Sequence, residues 1–343
     1  MSDLLMAADI GGTNTRIRLV DAGDVTTPLE EQTYGGGQPV SEAIAAFLGL
    51  IGDRRGVRAA CFGVAGRVVD GDVRMTNRPQ ETITDELLAG ALSLPKERIV
   101  VVNDMVTHLS GVDVSETVTL RAGRAIGAVE GIIMPGTGLG VGYAVYDAAA
   151  GRRIAMPSEG GHLDFAPPSM DHDPLLMWGR YQKATLSFSA EEAEAERITW
   201  EWFLSGPGLS RIYAVLDDSM KRRPEAFKSV KPENVTAAAF GQTSDLDTDT
   251  AIEATRKFLE LTGARAGNLC LDILATRAIW LGGNILNLLY EDNPQHFIAT
   301  ILEDFDACGP QALRETVTSV PIHLIRSPDS GLRGAAVLAR QRM

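Results

Sequence analysis

Ala7-Ala8-Asp9-Ile10-Gly11-Gly12-Thr13-Asn14-Thr15-Arg16 stands between two apolar runs, residues 4–8 and 17–20. Each run suits a buried strand, and the residues between them are too few for a helix. The pattern predicts strand, tight glycine turn, strand. Paired glycines allow positive φ at such a turn and bring backbone N–H groups close to whatever lies above. Consecutive turn amides form an anion-binding concavity. Thr13 and Asn14 add side-chain donors, Arg16 a cation and Asp9 a carboxylate. Phosphate with a metal ion suits this mixture; an ordinary glycine hairpin is the plain alternative. The turn is not a Walker loop, because no G-x-x-x-x-G-K-[ST] occurs in the chain. Nor do the alternating glycines of residues 136–142 make the dinucleotide pattern G-x-G-x-x-G.

The chain has 343 residues, enough for two domains with full cores. Its net charge of -13 argues against nucleic acid or an anionic membrane as the main partner. An anionic nucleotide is still admissible, because local amides and a metal ion can overcome the global field. Cys61, Cys270 and Cys308 are far apart, with no C-x-x-C, so buried thiols are expected rather than disulfides or zinc. No leader-like segment and no apolar run long enough for a membrane span is present, which predicts a soluble cytoplasmic protein.

Outward from the turn, residues 23–37 are polar and turn-rich, with a third strand near 31–34. Residues 39–51 have helical spacing, with Val40, Ala43, Ile44, Phe47, Leu48 and Ile51 on one face. VRAACFGVA, residues 57–65, reads as a central strand. A hairpin follows near Gly66, Gly71 and residues 72–76, then a helix at 84–92 and a strand at 99–102. The arrangement then recurs. Residues 131–134 are a strand, 135–138 a glycine turn and 139–146 a strand, with a further strand at 154–156. Strands at 277–281 and 321–325 follow later. A strand, glycine turn and strand thus open each half, a weak internal duplication. Helices are expected at 208–216, 234–240, 249–275, 294–305 and 331–340. Residues 170–196 are acidic and irregular, read as a surface insertion with a helix at 190–196.

Four stretches could carry chemistry. Asn103-Asp104 follows a buried strand, where ligands of open α/β sheets bind, and a carboxylate there can take a proton from a substrate hydroxyl. A turn cap is the plain alternative. Ser158-Glu159-Gly160-Gly161-His162 places a carboxylate and an imidazole around two glycines, a pairing suited to polyol hydroxyls, with Asp164 as a candidate to orient the histidine. Residues 134–142 repeat the phosphate-cradle logic, with Thr137 as hydroxyl donor. Gly282-Gly283-Asn284 after a strand could let a flat adenine lie on backbone. His108, His172, His296 and His323 show no partner spacing and read as surface or satisfied core residues.

DIGGTNTR (9–16), NDMV (103–106), PGTGLGV (135–141), SEGGHLDFAP (158–167) and LSGPGL (204–209) occur in the order seen in bacterial-type glucokinases. The chain resembles that family, part of the sugar kinase, hsp70 and actin superfamily, over nearly its whole length. SEGGHLDFAP followed by LSGPGL is the specific part; DIGGT marks only the superfamily. The resemblance implies an α/β, two-lobed actin-like ATPase fold, a duplicated ribonuclease H-like architecture with a central cleft. Residues 1–108 would form the small lobe, with the C-terminal helix at about 331–343 packing back on it. Residues 109–330 would form the large lobe.

The resemblance further implies transfer of the ATP γ-phosphoryl group to the 6-hydroxyl of glucose, a glycolytic reaction. Asp104 matches the general base. Asn77, Asn103, Asp104, Glu159, His162 and Glu201 match sugar ligands. Asp9, Gly11, Gly12, Thr13 and Asn14 would face phosphate, with Asp9 holding Mg²⁺ directly or through water. Thr137 and Gly138 would hold the other side of the phosphates, and Gly282 and Gly283 would border adenosine. A homodimer is what the family suggests. Three features depart from it: Arg78-Pro79-Gln80-Glu81 lacks a tryptophan common there, residues 170–200 are long and acidic, and Gly282-Gly283 is followed by Asn284. The competing readings are a kinase for another hexose or an amino sugar, and a catalytically inactive sugar-binding or regulatory protein.

Overall fold

The computed structural model describes residues 3–52, 56–69, 72–75, 78, 80–185, 197–220, 226–242 and 246–343. Its strands in chain order are β1 (Leu4–Ile10), β2 (Asn14–Asp21), β3 (Asp24–Gly35), β4 (Val57–Val64), β5 (Gly66–Val69), β6 (Asp72–Met75), β7 (Ile99–Asn103), β8 (Thr117–Arg121), β9 (Val129–Pro135), β10 (Leu139–Asp147), β11 (Arg152–Ser158), β12 (Ala278–Leu281) and β13 (Ile322–Ile325). The helices are α1 (Val40–Ile51), α2 (Asp85–Leu92), α3 (Asp104–Gly111), α4 (Asp173–Thr185), α5 (Trp200–Phe203), α6 (Gly206–Leu216), α7 (Pro232–Ala239), α8 (Thr248–Asp272), α9 (Asn284–Asp292), α10 (Pro294–Asp306), α11 (Arg314–Ser319) and α12 (Ser330–Arg340).

One sheet has the order β3-β2-β1-β4-β7 and another β11-β10-β9-β12-β13-β8. In each, three consecutive strands lie side by side and two later strands are added in parallel beside the first of them. The duplication expected from two glycine turns is thus a duplicated topology. By contacts the chain divides into two compact units, Met1–Thr117 with Gly142–Ser158 and Ile325–Met343, and Val118–Val141 with Glu159–Leu324.

In the first unit β1 alternates faces, as a central strand must. Met6, Ala8 and Ile10 pack with Ile44 and Phe47 of α1. Leu5 and Ala7 pack with Leu332, Ala335, Ala336 and Ala339 of α12. Each such Leu, Ile, Met or Phe side chain contributes about 1.5–3 kcal/mol by leaving water. β3 is longer than the sequence pattern suggests, running from Asp24 rather than residue 31. It is a polar edge strand paired only with β2, so its exposed residues carry no apolar alternation to read. The β5–β6 hairpin pairs Gly66 with Met75; residues 71 and 76 lie outside the described part.

The second unit is built around α8, whose Phe258 and Leu261 share a core with Phe297, Ile301 and Phe305 of α10. The region from residue 170 is more than a surface insertion. Residues 173–185 form α4, which buries Leu175, Trp178 and Gln182 at helical spacing. Trp178 stacks edge-on against Phe227 at 6.0 Å. The helix expected at 190–196 lies outside the described residues. Cys61 and Cys270 are buried, whereas Cys308 is only partly so.

Between α8 and α10 an acidic pair is desolvated. Burial pushes the Asp304 carboxyl up to about 6, with Glu260 and Glu303 adding to the rise and His172 and Arg256 opposing it. The folded protein therefore favours the protonated form. That contribution is fully present below the ordinary value of 3.8 and is lost as pH rises through about 6. Asp304→Asn is expected to stabilise the protein at pH 7.5 by about 1 kcal/mol, a figure discounted because the group is half-exposed. At pH 4 the change is expected to be near zero. Melting temperatures of both proteins at the two pH values check this; a gain that is equal at both would contradict it.

Candidate active site

Residues 11–13 connect β1 to β2, and the Gly11 N–H donates to Asn14 O at 2.9 Å. Neither Gly11 nor Gly12 has positive φ, contrary to the expectation for this turn. The glycine that the geometry demands is Gly36. Its N–H donates to Thr13 O at 2.6 Å, and a Cβ there would lie 2.7 Å from both Gly12 O and Thr13 O. Thr13 and Asn14 are exposed at the turn. Arg16 does not supply a cation to it. Its guanidinium bonds Glu31 at 2.8 Å, Asp329 at 2.7 Å and Pro328 O at 2.7 Å. The cation beside the turn is Arg78, whose Nε donates to Gly12 O at 3.2 Å.

Asp9, partly buried and next to last in β1, lies against the first turn of α12. A Cβ on Gly331 would come 3.0 Å from Asp9 Oδ2 and 3.1 Å from His108 Cε1. His108 Nδ1 lies 2.8 Å from Ser330 Oγ. Burial lowers the His108 pKa, with Asp9 opposing and Arg16 assisting, so the ring is neutral near pH 7. Nothing in the spacing of the sequence pairs His108 with residues 330 and 331; the glycines Gly111, Gly331 and Gly334 were the available signal of a close helix crossing.

β7 ends at Asn103 and α3 begins at Asp104. Asn103 caps the helix, its Oδ1 accepting the Met105 N–H at 3.0 Å, and its Nδ2 donates to Gly66 O at 3.1 Å. Asp104 Oδ1 also accepts the Met105 N–H at 3.0 Å, and Thr107 Oγ1 donates to Asp104 O at 2.7 Å. The cap reading of Asn103-Asp104 is thus what the hydrogen bonds show. β1, β4 and β7 are parallel, with Asp9 beside Gly63 and Val64 beside Asn103. Asp9, the turn and Asp104 thus share the carboxyl end of one sheet, where α/β folds bind ligands. Asn77 lies outside the described residues.

In the second unit, residues 136–138 join β9 to β10, with the Gly136 N–H donating to Gly138 O at 2.8 Å. The Leu139 N–H donates to Glu201 Oε2 at 2.8 Å, and a Cβ on Gly138 would meet that oxygen at 2.4 Å. On the other side of the same residue, a Cβ on Gly161 would lie 2.3 Å from Leu139 O. Thr137, Gly138, Glu201 and the Glu159–His162 loop are therefore gathered around Leu139. Glu159 and His162 both remain open to solvent, with Oε2 and Nε2 3.9 Å apart. Asp164 does not orient the imidazole; its carboxylate takes Arg197 Nη1 at 2.6 Å. Glu201 sits on α5, its carbonyl accepting Ser205 Oγ at 2.8 Å, while Ser205 caps α6 through the Gly208 N–H at 3.1 Å.

Gly282 and Gly283 press on the end of β9. The Gly282 N–H donates to Ile133 O at 3.1 Å. Gly283 has a φ of 101° and would place a Cβ 2.2 Å from Pro135 O, so only glycine fits. Among the described residues no three His, Cys, Asp or Glu side chains are grouped to hold a metal ion. Asp9 alone beside exposed turn donors fits a hydrated Mg²⁺ that shares phosphate oxygens rather than a protein-caged ion. No helix among the described residues is long and apolar enough to cross a membrane.

The family model for glucokinase matches residues 6–342. A glucokinase of Trichormus variabilis is 30% identical over 365 aligned residues, covering 98% of this chain and 98% of the relative. The solved glucokinase of Balamuthia mandrillaris, in complex with glucose, has 23% identity and a TM-score of 0.77, covering 99% of this chain and 94% of that one. A ROK-family glucokinase from Streptomyces griseus, in complex with glucose and AMPPNP, has 21% identity and a TM-score of 0.61, covering 98% and 99%. The fold is accordingly the α/β, two-lobed actin-like ATPase fold.

Proposed function

The chain belongs to the glucokinase family, and on that premise we propose that it transfers the γ-phosphoryl group of MgATP to the 6-hydroxyl of glucose. The protein is an enzyme, a sugar kinase acting on glucose. The observation that supports the mechanism best is Asp104, anchored as the first residue of α3 at the same sheet end as Asp9 and the glycine turn.

Asp104 takes the proton of the 6-hydroxyl as the new O–P bond forms and the bond from the γ-phosphorus to the β–γ bridging oxygen breaks, with ADP as the leaving group. Glu159, His162, Glu201, Asn77 and Asn103 hold the other hydroxyls. Because the Asn103 oxygen caps α3 and one Nδ2 hydrogen goes to Gly66 O, the second Nδ2 hydrogen is what Asn103 has left for the sugar. Asp9, Gly11, Gly12, Thr13 and Asn14 face the phosphates from one turn, Thr137 and Gly138 from the other, and Gly282 and Gly283 border adenosine. Mg²⁺, held by Asp9 directly or through water, would neutralise charge on the phosphate oxygens. Such transfer asks for positioning and charge stabilisation more than covalent chemistry. The net charge of -13 supports a small-molecule role without nucleic acid or membrane partners, and a cytoplasmic location is proposed with it. A homodimer is the proposed assembly.

Phosphorus NMR of the product is expected to show a 6-phosphate ester, and a panel of glucose, mannose, fructose and amino sugars to give the highest kcat/KM with glucose. A higher value with another sugar would replace glucose as the substrate; no product with any of them would favour an inactive sugar-binding protein. Glu159→Gln and His162→Ala are each expected to raise the glucose KM about tenfold or more, the worth of a hydrogen bond to a charged or well-placed group. An unchanged KM removes that residue from the sugar site.

A further inference from the structure

Arg78 is 2% exposed and lies against the first glycine turn. Its Nε donates to Gly12 O at 3.2 Å and its Nη1 to Thr15 Oγ1 at 3.3 Å. Its Nη2 is buried and has no hydrogen-bond partner. No carboxylate among the described residues pairs with it. Glu81, three residues on, instead accepts the Val40 N–H through Oε2 at 3.3 Å. Glu31 and Asp329 are engaged by Arg16 and Arg18.

A guanidinium stays charged in any protein environment. Burying it without a counter-charge is unfavourable unless something else supplies one. Here one nitrogen holds a turn whose composition suits an anion, a second holds the start of β2 behind it, and the third is left over. A planar guanidinium with a spare nitrogen matches a phosphate oxygen. Arg78 also opens the segment 78–81, where this sequence lacks the tryptophan of the family it resembles.

We infer that Arg78 is an anion-binding residue of the turn, its Nη2 taking an oxygen of a phosphoryl group. The inference rests on the proposed function. Two sources share this chemistry, the phosphates of the donor nucleotide and the phosphate of the sugar phosphate product.

Isothermal titration calorimetry of wild type and Arg78→Gln with MgATP, glucose 6-phosphate and glucose tests it. At least one phosphate-bearing ligand is expected to weaken about tenfold or more, as for a charge-assisted hydrogen bond, with glucose within about twofold. Loss confined to MgATP assigns the donor; loss confined to glucose 6-phosphate assigns the product. A smaller loss for both, or an equal loss for glucose, overturns the inference. Should Arg78→Gln not fold, Arg78→Lys replaces it, keeping the charge but not the fork. It is then expected to lose about threefold in the same ligand, and unchanged affinity overturns the inference. ADP release by the wild type with glucose separates the two levels. An active wild type matched by its variant removes only Arg78, whereas a wild type that binds neither MgATP nor glucose removes the proposed function and this inference with it.

Discussion

Asp104→Asn lowers kcat by about a hundredfold or more, the usual worth of a positioned general base, while glucose binding persists. The substitution is chosen to separate chemistry from structure. Asparagine keeps an oxygen where Asp104 Oδ1 accepts the Met105 N–H. The cap from Asn103 and the Thr107 bond to the Asp104 carbonyl do not depend on the carboxylate charge. The helix should therefore start at the same residue, and only the ability to take a proton is removed. Steady-state kinetics gives kcat, and quenching of tryptophan fluorescence by glucose gives binding. A kcat within about threefold of wild type would remove Asp104 from the role of base.

The second large effect is on stability. Gly334→Ala would place a Cβ 1.7 Å from Thr107 O and 2.8 Å from Gly111 N, both backbone atoms. Neither can rotate aside, so α3 and α12 must move apart. α12 carries Leu332, Ala335, Ala336 and Ala339 onto β1 and β4, and α3 carries Asp104 and His108. The expected loss is at least about 3 kcal/mol, the upper range for overpacking. Gly90→Ala is the contrast. Nothing lies within 4 Å of a Cβ there, and Gly90 is inside α2, so a gain of up to about 1 kcal/mol is expected. Urea denaturation of the two variants checks both signs. A Gly334→Ala protein as stable as wild type would mean that the helices are not in backbone contact.

What the sequence made legible follows from locality. The β1–β2 hairpin, α1, β4 and the β9–β10 pair are written in apolar runs and turn residues that need no distant partner. A duplicated architecture could be anticipated because each copy announces itself with a glycine turn, whereas the strand order comes only from the structure. α4 was hidden because Leu175, Trp178 and Gln182 keep helical spacing inside a polar, acidic stretch, where the eye follows charge. β3 was shortened for the opposite reason, a strand with too little buried surface to show alternation.

The site divides along the same line. Residues marked by motif could be named in advance, but what their side chains do could not. Arg16 is adjacent to the turn in sequence, yet it faces Asp329, 313 positions away. Arg78 is 66 positions from Gly12 and touches it. Glu201 matches a sugar ligand by motif, and it also binds the Leu139 amide at the second glycine turn, a link that no spacing rule supplies. Strand pairing decides which side chains meet, and pairing across long separations is not carried by local pattern.

ADP release from MgATP by the purified protein, followed across a range of glucose concentrations and without glucose, tests the central claim most directly. Saturable, glucose-dependent release well above the glucose-free rate is the predicted result. Release that stays at the glucose-free rate at every glucose concentration would contradict it.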